Sequence, residues 1–346
     1  MTHGLDVLVL HNTPALPPTH PDYASEAGVL ESVAAVTDAL RTAGHSSRTV
    51  GIATLADLLA ELPHLGQPDV VVNLFEGFAG VGRGEALVAG WIEALGHGLT
   101  GSDPAALELV RDKARVKWLL RGAGLPTADF VLVAPDRPLP RAALAALLAA
   151  GPAIVKPAHE DASLGIGPNS VVSDETALEE QIAQVRAGYG GVLVERFIAG
   201  REFNAAVVAL PEPRLLPLAE IEFAAALSPR ERLVTYAAKW DTGSAADLAT
   251  APRCPARVDE ALGQRIEQVA LAAFEATGCR DYARVDMRVA DDESIYILEI
   301  NGNPDIGPSA GFARALGAAG MASDEFVDRL VRNAAGRRAQ LSARRA

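Results

Sequence analysis

The stretch ARVDMRVADDESIYILEINGNP, residues 283–304, puts acids where two strands are set to pair. In an extended chain Ala283, Val285, Met287 and Val289 share one face, and Arg284, Asp286 and Arg288 share the other. The second run, 295–301, groups Ile297, Glu299 and Asn301. A hairpin loop over 291–294 sets Asp286 opposite Glu299 and Arg284 opposite Asn301, with the Cβ atoms of the two acids about 5 Å apart. Like charges directly opposed destabilise a sheet, and two close carboxylates do not ionise together comfortably without a cation between them. Two acids plus an amide form an all-oxygen ligand set suited to Mg²⁺, which keeps waters and shares the rest of its shell with phosphates. The constellation reads as a site for Mg²⁺ and a nucleotide. The competing reading is a solvated hairpin face on which Arg284 and Arg288 neutralise the acids.

Lysines add to the first reading. Lys156 ends the apolar run PAIVKP and precedes a proline, so it is held extended at a strand end. The loop that follows, HEDASLGIG, is rich in small residues, and backbone N–H groups can approach phosphates where side chains are short. Lys113 lies in a helical run, and VLVERFIAGREF delivers Glu195 on one strand and Glu202 on the next. Singly, each lysine reads first as an ordinary surface residue; the weight lies in the combination.

The elements that must position them alternate. LDVLVL (5–10) is a strand, and Leu30, Val33, Val36 and Leu40 describe a helix that stops at Gly44. VVVNLF (70–75) is a buried strand, followed by a glycine-rich turn and a helix over about 85–95. Asp103 and Pro104 open another helix as cap and first-turn residue. Residues 111–123 are helical up to Gly124, 142–150 form an Ala-rich helix, and strands at 152–157 and 191–198 flank a helix at about 174–187. A sheet-rich final third starts at residue 201, and GRRAQLSARRA reads as a frayed helix or a flexible basic tail. The expected division is an N-terminal α/β domain over 1–103, a central domain over 104–197, a C-terminal domain over 198–333 and a tail over 334–346.

The formal net charge of −13 disfavours nucleic acid and anionic membrane surfaces as partners, so a phosphate-bearing ligand needs a local cationic pocket. Cys254 and Cys279 are the only cysteines and signal neither a disulfide framework nor zinc, so a reducing cytoplasm is expected. LDVLVL is too short for a signal h-region, and no run reaches the roughly 18 apolar residues needed to cross a bilayer.

Taken in order, DKARVKWLLRGAGLPTADFVLV, IVKPAHEDASLGIG, VLVERFIAGREF, YAAKW, YARVDMRV and YILEINGNP resemble the ATP-grasp fold, and within it the D-alanine–D-alanine ligase family. The resemblance runs over nearly the whole chain. It implies α/β and α+β architecture: an N-terminal parallel α/β domain and two sheet-containing domains clasping ATP. It implies an ADP-forming carboxylate–amine ligase using ATP and two Mg²⁺ ions, with Mn²⁺ as a substitute, acting on small acid and amine substrates, and it allows a homodimer. By the same resemblance Lys113 and Lys156 contact the α and β phosphates. Glu195 and the backbone near Ile198 meet the adenine edge, and Glu202 meets the ribose. Asp286, Glu299 and Asn301 hold the metal ions, and Arg284, Lys239 and Ser163 belong to the catalytic set.

Departures from the family pattern fall at the substrate end. Ala162–Ser163 stands where two serines are usual, Lys239–Trp240 where the family has Lys-Tyr, Glu76–Gly77 where it has His-Gly, and Pro304–Asp305–Ile306–Gly307 where it has Pro-Gly-Met-Thr. These point to an acid or amine other than D-alanine. Glu76, able to recognise an ammonium or guanidinium group, joins Trp240 and Asp305 as a candidate substrate residue. Glu26 or Glu31 would bind the first substrate's amino group, although the segment TPALPPTHP replaces the family's Gly-rich loop. Three alternatives stay open: an ordinary D-alanine ligase, an ATP-binding protein without ligase activity, and a dinucleotide site built on GFAGVGRGE with Asp103 as its acid.

Overall fold

The computed structural model describes residues 3–20, 22–78, 82 and 84–345. Strands β1 (Asp6–Asn12), β2 (Ser46–Ile52), β3 (Val70–Leu74) and β4 (Gly98–Leu99) form a parallel sheet in the order β2-β1-β3-β4. All five residues of β3 are buried, as a parallel strand covered on both faces requires. The helix Val29–Thr42 packs Val29, Val36 and Leu40 inward, while Leu30, which the expected stripe included, is 47% exposed. Gly44 ends this segment at φ +83°, a conformation that favours glycine.

The helix Pro104–Arg111 opens as expected: the Asp103 side chain accepts from the Ala106 N–H at 2.9 Å. Asp112 repeats the device for Lys113–Gly122, accepting from Arg115 N–H at 3.0 Å, so the lysine helix starts at a defined residue. Val110, Val116 and Leu120 of these helices pack into the core beneath the third sheet. The segment 104–122, assigned from sequence to the central domain, thus shares its core with the C-terminal one.

The second sheet is antiparallel, β5 (Phe130–Val133), β6 (Ala153–Pro157), β7 (Val171–Val172) and β8 (Val192–Arg196) in the order β5-β8-β6-β7. The third contains β9 (Arg201–Ala209), β10 (Pro213–Leu215), β11 (Ala219–Phe223), β12 (Thr250–Arg253), β13 (Tyr282–Val289) and β14 (Ile295–Asn301). Its path is β12-β11-β9-β13-β14, with β10 paired to β9, all antiparallel. The core face of β9 and β13 rests on the helix Glu260–Ala276 through Phe203, Val207, Val285 and Met287.

Of the two readings of the C-terminal segment, a frayed helix or a flexible tail, the structure has the helix. The helix Ser323–Arg345 runs through it. Arg337 pairs with Asp281 and donates to the Leu99 carbonyl at 2.7 Å, and Arg338 donates to the Pro68 carbonyl at 2.9 Å. Among the described residues no helix is long and apolar enough to cross a membrane.

Candidate active site

A cleft of about 590 Å³ lies between the second and third sheets. The third sheet forms one wall with the polar face of three strands: Glu202 and Asn204 on β9, Arg284, Asp286 and Arg288 on β13, Glu299 and Asn301 on β14. Register sets the neighbours. Asp286 stands opposite Glu299 and Arg284 opposite Asn301 on one side, as expected; on the other, Asp286 is opposite Asn204 and Arg288 opposite Glu202.

The route to that register differs from the expected hairpin. Val289 pairs with Ile295, and the Ala290 N–H donates to the Ser294 carbonyl at 2.9 Å, so the turn is 291–293, one residue shorter than 291–294. A β-bulge at Leu298 then restores the pairing of Asp286 with Glu299. Ile297 and Glu299, which a regular strand would put on one face, are thereby separated: Ile297 is fully buried in the core and Glu299 lines the cleft.

The opposed acids sit among cations. Arg284 grips Asp286 as a fork, Nε to Oδ1 at 2.7 Å and Nη2 to Oδ2 at 2.8 Å, and Asn204 and Asn301 donate to the same carboxylate at 2.7 and 3.2 Å. Burial alone would raise the Glu299 pKa, but Lys113, Lys156, Arg284 and Lys239 hold it well below the ordinary value. Its Oε2 is 3.4 Å from Lys113 Nζ. Two acidic side chains beside an amide oxygen fit a hard divalent ion such as Mg²⁺. Among the described residues no group of three or more His, Cys, Asp or Glu side chains is arranged to hold a metal, so the chain offers a partial shell that water and phosphate oxygens would complete.

The second sheet supplies the opposite wall. Lys156 at the end of β6 reaches Glu195 Oε1 on β8 at 2.5 Å. Lys113, opposite, holds the loop after β6, donating to the Glu160 carbonyl at 2.6 Å and to Asp161 Oδ1 at 2.7 Å. Burial works against its charge, yet Asp161 and Glu299 raise its pKa above the ordinary value, so it stays a cation. Ser163 lies in this loop, where it and Ala162 adopt positive φ values of 61° and 56°. The short helix Tyr236–Trp240 closes on the same loop: the Trp240 Nε1–H donates to the Ala162 carbonyl at 3.0 Å, and Tyr236 N–H to the Ile166 carbonyl at 3.1 Å. Lys239 points its ammonium over the Trp240 ring at 5.2 Å; burial, then Arg284, lowers its pKa.

Thirteen of the candidate residues thus line one cleft, namely all except Glu26, Glu31 and Glu76. Two assignments change. Glu195 is 1% exposed, with Oε1 on Lys156 and Oε2 on Lys117 at 2.9 Å, so its carboxylate serves as a counterion and presents no free oxygen to an adenine. Glu26 lines neither this cleft nor the small cavity beside it. Its Oε2 accepts from Ala15 and Leu16 N–H at 2.9 and 2.8 Å, stapling the proline-rich segment in place, while Glu31 accepts from Ser309 Oγ at 2.8 Å.

Glu76 lines the small cavity, of about 20 Å³, with Ser32, Asn73, Glu85, Tyr282 and Asp305; Asp305 also borders the main cleft. The Asp305 Oδ1 accepts from Ser32 Oγ at 2.6 Å and from Gly307 N–H at 2.8 Å. No hydrogen bond or ion pair holds the Glu76 carboxylate among the described residues. Desolvation by the surrounding protein, then Asp305 nearby, pushes its pKa up to about 7, although the residue is exposed and water at its open side moderates the effect. Residues 79–81 and 83 of GFAGVGRGE lie outside the described residues, and Asp103 is occupied as a helix cap.

Sequence reasoning missed Asn204 and Lys117, and gave Arg288 no part beyond neutralising the acids of its own face. Arg288 forks onto Glu202 at 3.0 and 2.8 Å and donates to the Ile198 carbonyl at 2.9 Å, joining the two features assigned to the nucleoside end. Signals existed: Asn204 and Arg288 follow Glu202 and Asp286 by two residues, the strand period, and Lys117 follows Lys113 by one helical turn.

Comparison with known proteins agrees with this geometry. Residues 119–332 match the family described as D-ala D-ala ligase C-terminus. A D-alanine–D-alanine ligase of Desulforudis audaxviator is 40% identical over 251 residues, covering 72% of this chain and 76% of that protein. The fold superposes on that of a Bacillus anthracis D-alanine–D-alanine ligase crystallised with ATP, with a TM-score of 0.77, 20% identity and coverage of 97% of this chain and 99% of that one. It also superposes on the VanG D-Ala:D-Ser ligase of Enterococcus faecalis, with a TM-score of 0.71, 20% identity and coverage of 95% and 99%. With a family match over most of its length and a cleft in which Lys156 of the second sheet and Lys113 of a helix face the acids of the third sheet, the chain belongs to the D-alanine–D-alanine ligase family of ATP-grasp ligases.

Proposed function

We propose that the cleft binds ATP with magnesium, and that the protein joins an amino acid other than D-alanine to an amine through an acylphosphate, releasing ADP and phosphate. The observation that carries the reading is the approach of Lys113 and Lys156 to Glu299 across the cleft, which gathers phosphate-binding cations and metal-binding oxygens around one volume. A carboxylate is a poor electrophile, and phosphorylating it creates a leaving group that an amine can displace. Such transfer depends mainly on positioning and charge neutralisation.

In this reading Lys113 and Lys156 neutralise the α and β phosphates, the backbone near Ile198 meets the adenine edge, and Glu202 meets the ribose hydroxyls. Asp286, Glu299 and Asn301 would hold magnesium, which when bound supplies charge neutralisation at the transferring phosphoryl group. Arg284 reaches the phosphoryl group and then the tetrahedral oxyanion, its planar fork suiting both. Lys239 meets an anionic substrate group. The loop bearing Ser163 and the helix latched to it by Trp240 exclude water from the acylphosphate.

The finer part, a substrate other than D-alanine, rests on Glu76, Trp240 and Asp305 at the substrate end. A carboxylate without partners beside Asp305 favours a ligand with a cationic group, an ammonium or a guanidinium. The experiment is ADP release over a panel of amino acids and small amines: some pair should outpace D-alanine alone. Brisk formation of the D-alanine dipeptide would instead establish the second reading, an ordinary D-alanine–D-alanine ligase, which the name of the Desulforudis relative favours.

A further inference from the structure

Lys117 does not line the cleft, is 1% exposed and is a side chain for which the proposed chemistry has no direct use. Burying an ammonium is costly unless it is paired and fully hydrogen-bonded. Its three donors are spent on three different parts of the molecule. Nζ lies 2.9 Å from Glu195 Oε2 on β8, 2.7 Å from Thr127 Oγ1 in the connection to β5, and 3.4 Å from the Ile297 carbonyl on β14. The same junction is tied by Thr127 Oγ1–H donating to the Ile297 carbonyl at 2.9 Å and by Ile297 N–H donating to the Pro126 carbonyl at 2.9 Å. Ile297 stands beside the bulge that turns Glu299 into the cleft.

Glu195 is therefore one carboxylate shared by two lysines. Oε1 holds Lys156, whose ammonium faces the cleft, and Oε2 holds Lys117 behind it. Were Lys117 neutral, the whole negative charge would fall to Lys156, and a phosphate would have to compete with a dedicated ion pair. With Lys117 in place the carboxylate is already compensated, and Lys156 stays available to a second anion. Burial draws the Lys117 pKa down to about 8 while Glu195 opposes the fall, as expected for a cation held in place by this carboxylate.

We propose that Lys117 is a positioning residue for nucleotide binding: by holding one oxygen of Glu195 and the Ile297 carbonyl together, it keeps Lys156 free to engage phosphate and fixes the second sheet to the strand that carries Glu299. The inference rests on the reading that Lys156 meets the phosphates of ATP. Outer partners of a ligand-binding group, where measured around metals, are worth about 10- to 100-fold.

The test is binding of ATP and of adenosine, each with magnesium, to the wild type and to Lys117→Met, Glu195→Gln and the double variant. Lys117→Met should weaken ATP about tenfold and leave adenosine unchanged, because only the phosphate end depends on Lys156. In the Glu195→Gln background the same replacement should cost little, since the carboxylate through which Lys117 acts is gone. Equal weakening of ATP and adenosine, an unchanged ATP affinity, or losses that simply add would each overturn the proposal. If Lys117→Met does not fold, Lys117→Gln, which keeps donors without the charge, carries the same expectations. Failure of the wild type to bind ATP would refute the reading of the cleft; wild-type binding with an unaffected Lys117 variant would refute this inference alone.

Discussion

Asp286 and Glu299 oppose one another across β13 and β14, and neighbouring cations make that arrangement compatible with a folded sheet. The Arg284 fork saturates Asp286, while among the described residues Glu299 forms its ion pair with Lys113 and remains the less committed acid. Glu299→Gln removes charge but little volume, so the fold should persist while the rate of ADP formation drops by about 10²- to 10³-fold. A steady-state assay beside a thermal melt checks this, and retained turnover would refute the metal assignment. Glu76 makes the opposite case. Its folded-state pKa lies above its ordinary value, so between about 4.5 and about 7 the native state holds a proton that the unfolded chain has lost, and stability falls as pH rises through that window. Glu76→Gln abolishes this dependence. The melting temperature of the variant relative to wild type should therefore climb from pH 4.5 to pH 7, and a flat difference would show that the carboxylate is satisfied.

The short helix Tyr236–Trp240 has too few residues to stand alone; it is fixed by the Thr235 cap, which accepts from Ala238 N–H at 3.2 Å, and by the Trp240 bond to Ala162. That bond ties the closing helix to the loop after Lys156. Trp240→Ala should loosen the closure, so that water reaches the activated acid. The expected outcome is more ADP released per product formed, with KM for the amino-acid substrate raised. Unchanged coupling would show that closure does not depend on this latch. The bulge at Leu298 acts at the same scale, since it separates Ile297 from Glu299 by shifting the register one residue between Met287 and Asp286.

The three sheets are joined through buried polar contacts as well as apolar ones. Tyr282, Phe312 and Phe326 form an aromatic cluster in the core that β1, β3, β9 and the C-terminal helix share. Asp281, 1% exposed and at φ +63°, accepts from Gly101 N–H at 2.8 Å and from Asn333 at 2.9 Å, and pairs with Arg337. Arg337→Ala leaves that buried carboxylate short of its cation, which should cost about 3 kcal/mol and lower the melting temperature by several degrees. A melt with no change would mean that Asn333 and the Gly101 amide suffice.

Much of the site was legible because it is local and periodic. The alternation of Arg284, Asp286 and Arg288, the spacing of Glu299 and Asn301, and the caps at Asp103 and Gly44 follow from how strands and helices present side chains. Even the facing of Asp286 and Glu299 could be read from the hairpin, although a shorter turn and a bulge, compensating one another, produced it. The sequence by itself determined the element types and the face on which each polar residue of β13 lies. Only tertiary structure decided that Glu195 would be spent on Lys156 and Lys117, that Glu26 would staple a loop, and that the basic C-terminus would be anchored as a helix. Those outcomes depend on which charges meet across elements far apart in the chain, and in a buried setting the partner, not the residue type, sets what a charged side chain can do.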